Sequence, residues 1–258
     1  MGILEGRVAL VTGAAHGPRA ALGAEFAKAL AAAGADIVAA DIADASDVAA
    51  EITAMAPARA ALALRADVSE ETQVRNMIDA AIARFGRIDI LVNNAAIGSN
   101  IPKVPVTELA VEDWDRLMAV NVRGPFLCAK WAVPHMKKQG YGKIINIGST
   151  TSMSGLPNRL HYTSAKGAVH AMTRSLATEL GPDGIRVNTL AYGLVTSRLN
   201  EAELKNDAER ERRLLSSRPL RAHLRAADLC GSLVYLASKD SDHMTGQVMV
   251  VDDGELFH

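Results

Sequence analysis

Val8-Ala9-Leu10-Val11-Thr12-Gly13-Ala14-Ala15-His16-Gly17 decides the fold of this 258-residue chain. Four consecutive apolar residues form a short run suited to a strand buried on both faces, and a helix-like stretch follows the glycines through about Ala33. A strand, a glycine turn and a helix in that order bring backbone N–H groups to a helix N-terminus, where they can receive a pyrophosphate. Glycine turns are common, so the weight comes from context. The next apolar run, Asp36-Ile37-Val38-Ala39-Ala40, ends at Asp41. An acid there can accept hydrogen bonds from ribose hydroxyls and opposes a 2′-phosphate, which favours NAD over NADP. Asp44 and Asp47 compete for that role, and Asp41 could instead cap a turn.

Outward from this unit the pattern repeats. Ala61–Leu64, Ile88–Val92, Lys143–Ile147, Ile185–Leu190 and Val248–Val251 read as further apolar strands, with a helical segment from Glu70 to Phe85 among them. Strand-helix-strand repetition implies right-handed crossovers and an α/β, doubly wound, Rossmann-like parallel sheet. No Pro/Ser-rich linker, low-complexity tract or internal repeat interrupts it, so one domain is expected over residues 1–258. The segment from Ser197 to Arg225 is a dense mix of Arg, Glu, Leu and Ala. It reads either as a solvated amphipathic helix pair or, over about 194–225, as a helical substrate lid.

Composition excludes several classes. With 28 basic against 29 acidic residues, the formal net charge of -1 gives no electrostatic reason to expect nucleic acid or an anionic membrane as partner. No uncharged run approaches the ~20 residues of a membrane span, and the N-terminus lacks a leader pattern, so a cytoplasmic location is expected. Cys128 and Cys230 are far apart without metal-ligand spacing; two reduced thiols are expected, and no metal.

Tyr162-Thr163-Ser164-Ala165-Lys166 sets a phenol and an ammonium four residues apart, on one face of a helix. A free phenol titrates near ~10, too high for an efficient base around neutrality. Bringing it near ~7 takes about 4 kcal/mol, within reach of two nearby cations in a partly desolvated site. By itself the Tyr-x3-Lys pair is weak evidence.

It does not stand by itself. TGAAHG, Asp67-Val68, Asn93-Asn94-Ala95-Ala96, Asn121 within MAVNVRGPF, Ser149 within INIGST, Tyr162 with Lys166, Arg186-Val187-Asn188, Gly193–Thr196 and the closing TGQVMVVDDG follow in order. In these motifs the chain resembles the short-chain dehydrogenase/reductase family over nearly its whole length. The resemblance implies a nicotinamide-dependent oxidoreductase in which Tyr162 is the acid/base, and Lys166 lowers its pKa and holds the nicotinamide ribose. It implies that Ser149 orients the substrate oxygen (Thr150, Thr151 and Ser152 compete) and that Asn121 holds a water linking Lys166 to solvent. Gly13, Gly17, Leu22 and Gly23 would form the pyrophosphate turn. Asp67 and Val68 would meet adenine, Asn93 with Ala95 the adenosine ribose region, and Val195 with Thr196 the carboxamide. A homotetramer is implied as well.

The departures are local. Pro18 and Arg19 follow Gly17, and counting back from Gly34 and Asp41 places Leu22-Gly23 at the family's final hydrophobic-glycine pair. Four residues, about one helical turn, are then inserted before Leu22. Gly17 is on this reading an insertion glycine, and Arg19 can serve the pyrophosphate, a 2′-phosphate or solvent. Ala96 replaces a glycine, and Tyr192 stands where proline usually precedes Gly193; Tyr192 is expected near the nicotinamide, narrowing the substrate cavity. Between Ser149 and Tyr162 the chain reads TTSMSGLPNRLH, polar where a steroid or acyl substrate needs an apolar wall. The expected substrate is small and polar, sugar- or polyol-like, oxidised at a secondary alcohol or hemiacetal hydroxyl. Arg159 is available for an anionic group and His161 lies beside it; both could equally serve a subunit contact. An NADP-dependent ketoreductase of a less polar ketone and a non-catalytic NADH-binding sensor are the alternatives.

Overall fold

Alternate residues of the first strand face opposite ways, and both sets are apolar. Ala9 and Val11 pack with Phe26, Leu30, Leu229 and Leu233, whereas Val8 and Leu10 pack with Met77, Ile78, Leu127 and Met136. A strand of this kind needs helices on both sides, and this requirement organises the molecule. The computed structural model describes residues 2–17, 22–98, 101–196 and 207–257. Its strands are β1 (Val8–Thr12), β2 (Asp36–Asp41), β3 (Ala61–Arg65), β4 (Ile90–Asn93), β5 (Gly142–Ile147), β6 (Ile185–Tyr192) and β7 (Val248–Val251). They form one parallel sheet in the order β3-β2-β1-β4-β5-β6-β7.

The described helices are α1 (Leu22–Ala32), α2 (Ser46–Met55), α3 (Glu71–Phe85), α4 (Val111–Met118), α5 (Gly124–Gln139), α6 (Thr151–Ser154), α7 (Leu160–Leu180), α8 (Ala208–Ser216) and α9 (Ala226–Ala237). A π turn, Ala119–Arg123, joins α4 to α5. The α3 helix stops at Gly86, whose φ of 75° gives the left-handed cap that ends many helices. Phe26 and Leu30 are fully buried; truncating Phe26 to alanine is expected to cost about 3–5 kcal/mol.

The strand order reverses between β1 and β4, and the crevice outside the carboxyl ends of these strands is where doubly wound sheets bind ligands. Two expectations shift. The fourth strand starts at Ile90 because Asp89 turns its carboxylate back to Val8 N, Arg7 and Arg87. The edge strands β3 and β7 are only half-buried, so two-sided burial holds for the interior of the sheet. Of the expected lid, residues 197–206 lie outside the described residues. Helix α8 buries no side chain, as a solvated helix should, but Arg218 just beyond it is buried, which a solvated segment does not predict. Among the described residues no helix is long and apolar enough to cross a membrane.

Candidate active site

At the carboxyl edge, β1 ends in Thr12 and the chain turns at Gly13 with φ 68°. A Cβ on Gly13 would lie 2.8 Å from the Ala95 backbone, and a Cβ on Gly23 would collide with the Gly13 carbonyl. Loop and helix start thus touch backbone to backbone, as a turn wrapped around a pyrophosphate requires. The contact fits Leu22-Gly23 as the closing pair. Residues 18–21, with Pro18 and Arg19, lie outside the described residues, and Gly17 is exposed. Asn94 fastens this turn: its amide donates to the carbonyls of Thr12 at 2.9 Å and Gly13 at 3.0 Å, while Thr12 Oγ1 accepts from Asn94 N and Ala95 N.

Asp41, at the end of β2, reaches into the same turn. Its Oδ2 accepts from Ala15 N at 3.0 Å and its Oδ1 from Ala43 N at 2.9 Å. The carboxylate therefore braces the turn and keeps lone pairs for a ribose. Asp67 Oδ1 accepts from Ser69 N and Oγ, starting the turn into α3, and Val68 packs where a side chain on Gly124 would stand. Asn93 is buried and donates to Asn146, which donates to Thr173, itself bonded to Thr189; Asn93 Oδ1 has no partner.

Ser149 follows β5, and Tyr162 with Lys166 rises one turn apart on α7. Ser149 and Lys166 are 5% and 4% exposed. Burial pushes the Tyr162 phenol up, opposed by a hydrogen bond from Ser149 and by the Arg159 charge. Lys166 Nζ donates to Ile147 O at 2.7 Å and stands 5.9 Å from the Tyr162 ring centroid; burial lowers its pKa to about 8. In the chain's own electrostatics, Ser149 and Arg159 are thus the groups that favour phenolate, and burial outweighs them. Asn121 lies in the π turn with its side chain committed to Ile97, accepting from the amide and donating to the carbonyl, each at 2.8 Å.

Tyr192 ends β6; its carbonyl accepts from Thr150 N, and burial together with the Tyr162 charge pushes its phenol far up. Beyond it, Val195 and Thr196 are each 7% exposed. Thr196 N donates to Leu224 O at 2.7 Å, and Thr196 Oγ1 pairs with His223 Nδ1 at 3.2 Å, whose Nε2 meets Glu211 of α8 at 3.0 Å. Arg218 donates to Leu194 O at 2.9 Å, Glu255 at 3.1 Å and Asp253 at 3.3 Å, tying this loop to the C-terminal tail. Arg159 precedes α7 and acts electrostatically on Tyr162, whereas His161 turns away, into a cavity between the residues after β4 and helix α4.

The edge thus gathers predicted residues from the ends of β1 to β6, from the π turn and from the starts of α1 and α7. Sequence reasoning missed the bracing by Asn94, the His223–Glu211 pair and Arg218. Asn94 was in view within its motif, but nothing in one dimension tells which of two adjacent asparagines faces the turn.

These residues fit a nicotinamide dinucleotide: the backbone-tight turn, the acid at β2, an orphaned amide oxygen on Asn93, and a buried ammonium with a single acceptor. The comparisons agree. A family model described as enoyl-(acyl carrier protein) reductase, one of the short-chain dehydrogenase/reductase models, matches residues 13–255. The 2-(R)-hydroxypropyl-CoM dehydrogenase of Xanthobacter autotrophicus is 36% identical over 247 residues, 95% of this chain and 97% of that protein. The 2-dehydro-3-deoxy-D-gluconate 5-dehydrogenase of Escherichia coli is 37% identical over 254 residues, 98% of this chain and 96% of that protein. A gluconate 5-dehydrogenase from Burkholderia cenocepacia, solved in complex with NADP and tartrate, superposes with a TM-score of 0.87 at 38% identity, covering 98% of this chain and 96% of that one. The chain belongs to the short-chain dehydrogenase/reductase family and is an NAD(P)-dependent oxidoreductase acting on CH–OH groups.

Proposed function

We propose that the enzyme interconverts a secondary alcohol and a carbonyl on a small polar, sugar- or polyol-like substrate, with NAD as cofactor. The observation that carries this reading is the buried meeting of Tyr162, Ser149 and Lys166 at the open edge of the sheet. The bound nicotinamide supplies the hydride acceptor in oxidation and the donor in reduction. Ser149 Oγ holds the substrate oxygen, and Tyr162 takes the hydroxyl proton in oxidation and returns it in reduction. Lys166 lies on the Tyr162 side of α7 with two ammonium hydrogens beyond the one given to Ile147, enough to hold a ribose hydroxyl. Gly13, Leu22, Gly23, Asp41, Asp67, Val68, Asn93 and Ala95 would line the dinucleotide path, and Thr196 with Val195 would meet the carboxamide. A single domain and a homotetramer are the expected organisation. The gluconate and dehydro-deoxygluconate names of the relatives support a polar substrate.

Use of NADP is a second reading, favoured by the NADP bound to the Burkholderia relative and opposed by the Asp41 carboxylate beside the turn. The test is turnover of a panel of sugars, polyols, sugar acids and hydrophobic alcohols with either cofactor, with Tyr162→Phe as blank. NAD-dependent oxidation of a polar substrate, reduced at least ~10²-fold in the variant, is expected. Preference for NADP reverses the cofactor assignment. NADH binding without Tyr162-dependent turnover of any substrate favours the non-catalytic sensor.

A further inference from the structure

His161 is the residue next to the candidate acid/base, yet its imidazole does not share that residue's surroundings. It is 1% exposed, and neither ring nitrogen has a hydrogen-bond partner. A buried polar group left in that state costs on the order of 1–3 kcal/mol. The ring borders a cavity of about 230 Å³ whose polar lining is His161, Asp113 and Arg116, and whose apolar lining includes Ile97, Ile101 and Leu117. Asp113 and Arg116 are three residues apart on α4 and so share one face. Among the described residues Arg116 makes no ion pair, so its guanidinium remains available.

Gly98 lines this cavity and also stands against the candidate acid/base. A Cβ at that position would stand 3.6 Å from the edge of the Tyr162 ring and 4.0 Å from its hydroxyl. Gly98 thus borders both the phenol and the cavity, which makes the two neighbours across a single residue.

We propose that this cavity is a subsite for the remote end of the substrate, and that its ligand is the carboxylate of a polyhydroxy acid, held by Arg116 and His161. Arg116 offers a planar fork that matches a carboxylate, and an imidazole N–H supplies a further donor. Asp113 accepts from a hydroxyl on the adjoining carbons. A lining with one acid, one guanidinium and one imidazole suits a ligand carrying both donors and a negative charge. It suits neither a hydrocarbon chain nor a polyanion. Arg159 acts on the Tyr162 phenol, whereas His161 and Arg116 line the cavity. The assignment rests on the oxidoreductase reading above and narrows its substrate to an acid.

The experiment measures binding and turnover of D-gluconate and of the neutral D-glucitol by the NAD-loaded enzyme. Arg116→Gln changes an exposed residue. His161→Gln keeps hydrogen-bonding capacity, and His161→Phe removes it at similar bulk. Arg116→Gln and His161→Phe are each expected to raise the gluconate Kd and KM tenfold or more with kcat changed less than threefold. His161→Gln should retain most of the binding, and glucitol constants should move less than threefold throughout. Gly98→Val is expected to weaken both ligands. Tyr162→Phe should abolish turnover and leave gluconate binding intact, which separates this proposal from the oxidoreductase reading. Unchanged gluconate binding in Arg116→Gln and His161→Phe overturns the subsite. Equal losses for gluconate and glucitol, or no gluconate binding by the wild type, overturn it as well.

Discussion

The two edges of the sheet bury polar groups to the same depth and treat them in opposite ways. At the amino edge, Asp89 is fully buried and receives Val8 N, Arg7 and Arg87. Nearby Lys143, 1% exposed, donates to Ser241 Oγ at 3.0 Å and Asp242 Oδ1 at 2.8 Å. At the carboxyl edge, Lys166 is as deeply buried with one carbonyl as acceptor. Asn93 Oδ1 and both His161 nitrogens have no partner there, and the Tyr162 phenol is held above its ordinary value. Since buried polar groups are normally satisfied, the under-satisfied ones gathered at this edge mark where external groups complete the network. One edge is assembled for stability and the other for chemistry.

Lys166→Met tests the contrast most severely. Turnover should fall by roughly 10²–10⁴-fold, yet the folded state should gain about 1–3 kcal/mol at pH 7, because an ammonium whose pKa is lowered from 10.5 to about 8 resists burial. The sign follows from proton counting. Between those two values the unfolded chain binds more protons than the folded one, so wild-type stability rises with pH. The penalty is full below about 8 and gone above 10.5. Urea titrations at pH 7 and pH 10 should show the variant's advantage shrinking; an advantage independent of pH breaks the comparison. Asp89→Ala is the mirror image. It should cost about 3 kcal/mol by stranding its arginines, while kcat per folded molecule stays within twofold. A loss of kcat at unchanged stability would exchange the roles of the two edges.

The next effect concerns the phenol. Ser149→Ala and Arg159→Met each remove a group that favours phenolate, so the Tyr162 pKa should rise. The pH at which oxidation reaches half its plateau should then move upward, further for Ser149 than for Arg159. A downward shift in either variant contradicts the electrostatic assignment. The smallest effect is expected at His223→Ala, which releases Thr196 from Glu211. Cofactor KM should rise about two- to fivefold with little change in stability, in line with the roughly 1 kcal/mol of a single hydrogen bond; titration with NADH reads it directly.

Much of this edge was legible in one dimension. Strand identity follows from short apolar runs alternating with longer helical segments, a pattern that the half-buried edge strands β3 and β7 share with the interior ones. The turn and Asp41 follow from their positions just after such runs, where local geometry determines direction, whereas Ser149, Tyr162 and Lys166 are picked out by resemblance to the family's ordered motifs. Legibility fails where partners come from distant segments. Arg218 sits in a stretch that reads as solvated, and only its contacts with Leu194 and the tail explain its burial. His161 and Arg159 look equivalent beside the tyrosine, and successive positions at a helix start diverge by about 100°.

The sequence alone determined the parallel doubly wound sheet and the position of the phosphate turn, because each depends on periodicity or on short spacings; the Tyr-Ser-Lys constellation is implied by resemblance to a family's ordered motifs. Only the tertiary structure decided that Asn94 braces the turn, that Asn121 binds Ile97, and that His161 and Arg116 border one cavity. Those contacts join segments tens of residues apart. Their direction is set by how helices pack on the sheet, which no local pattern encodes.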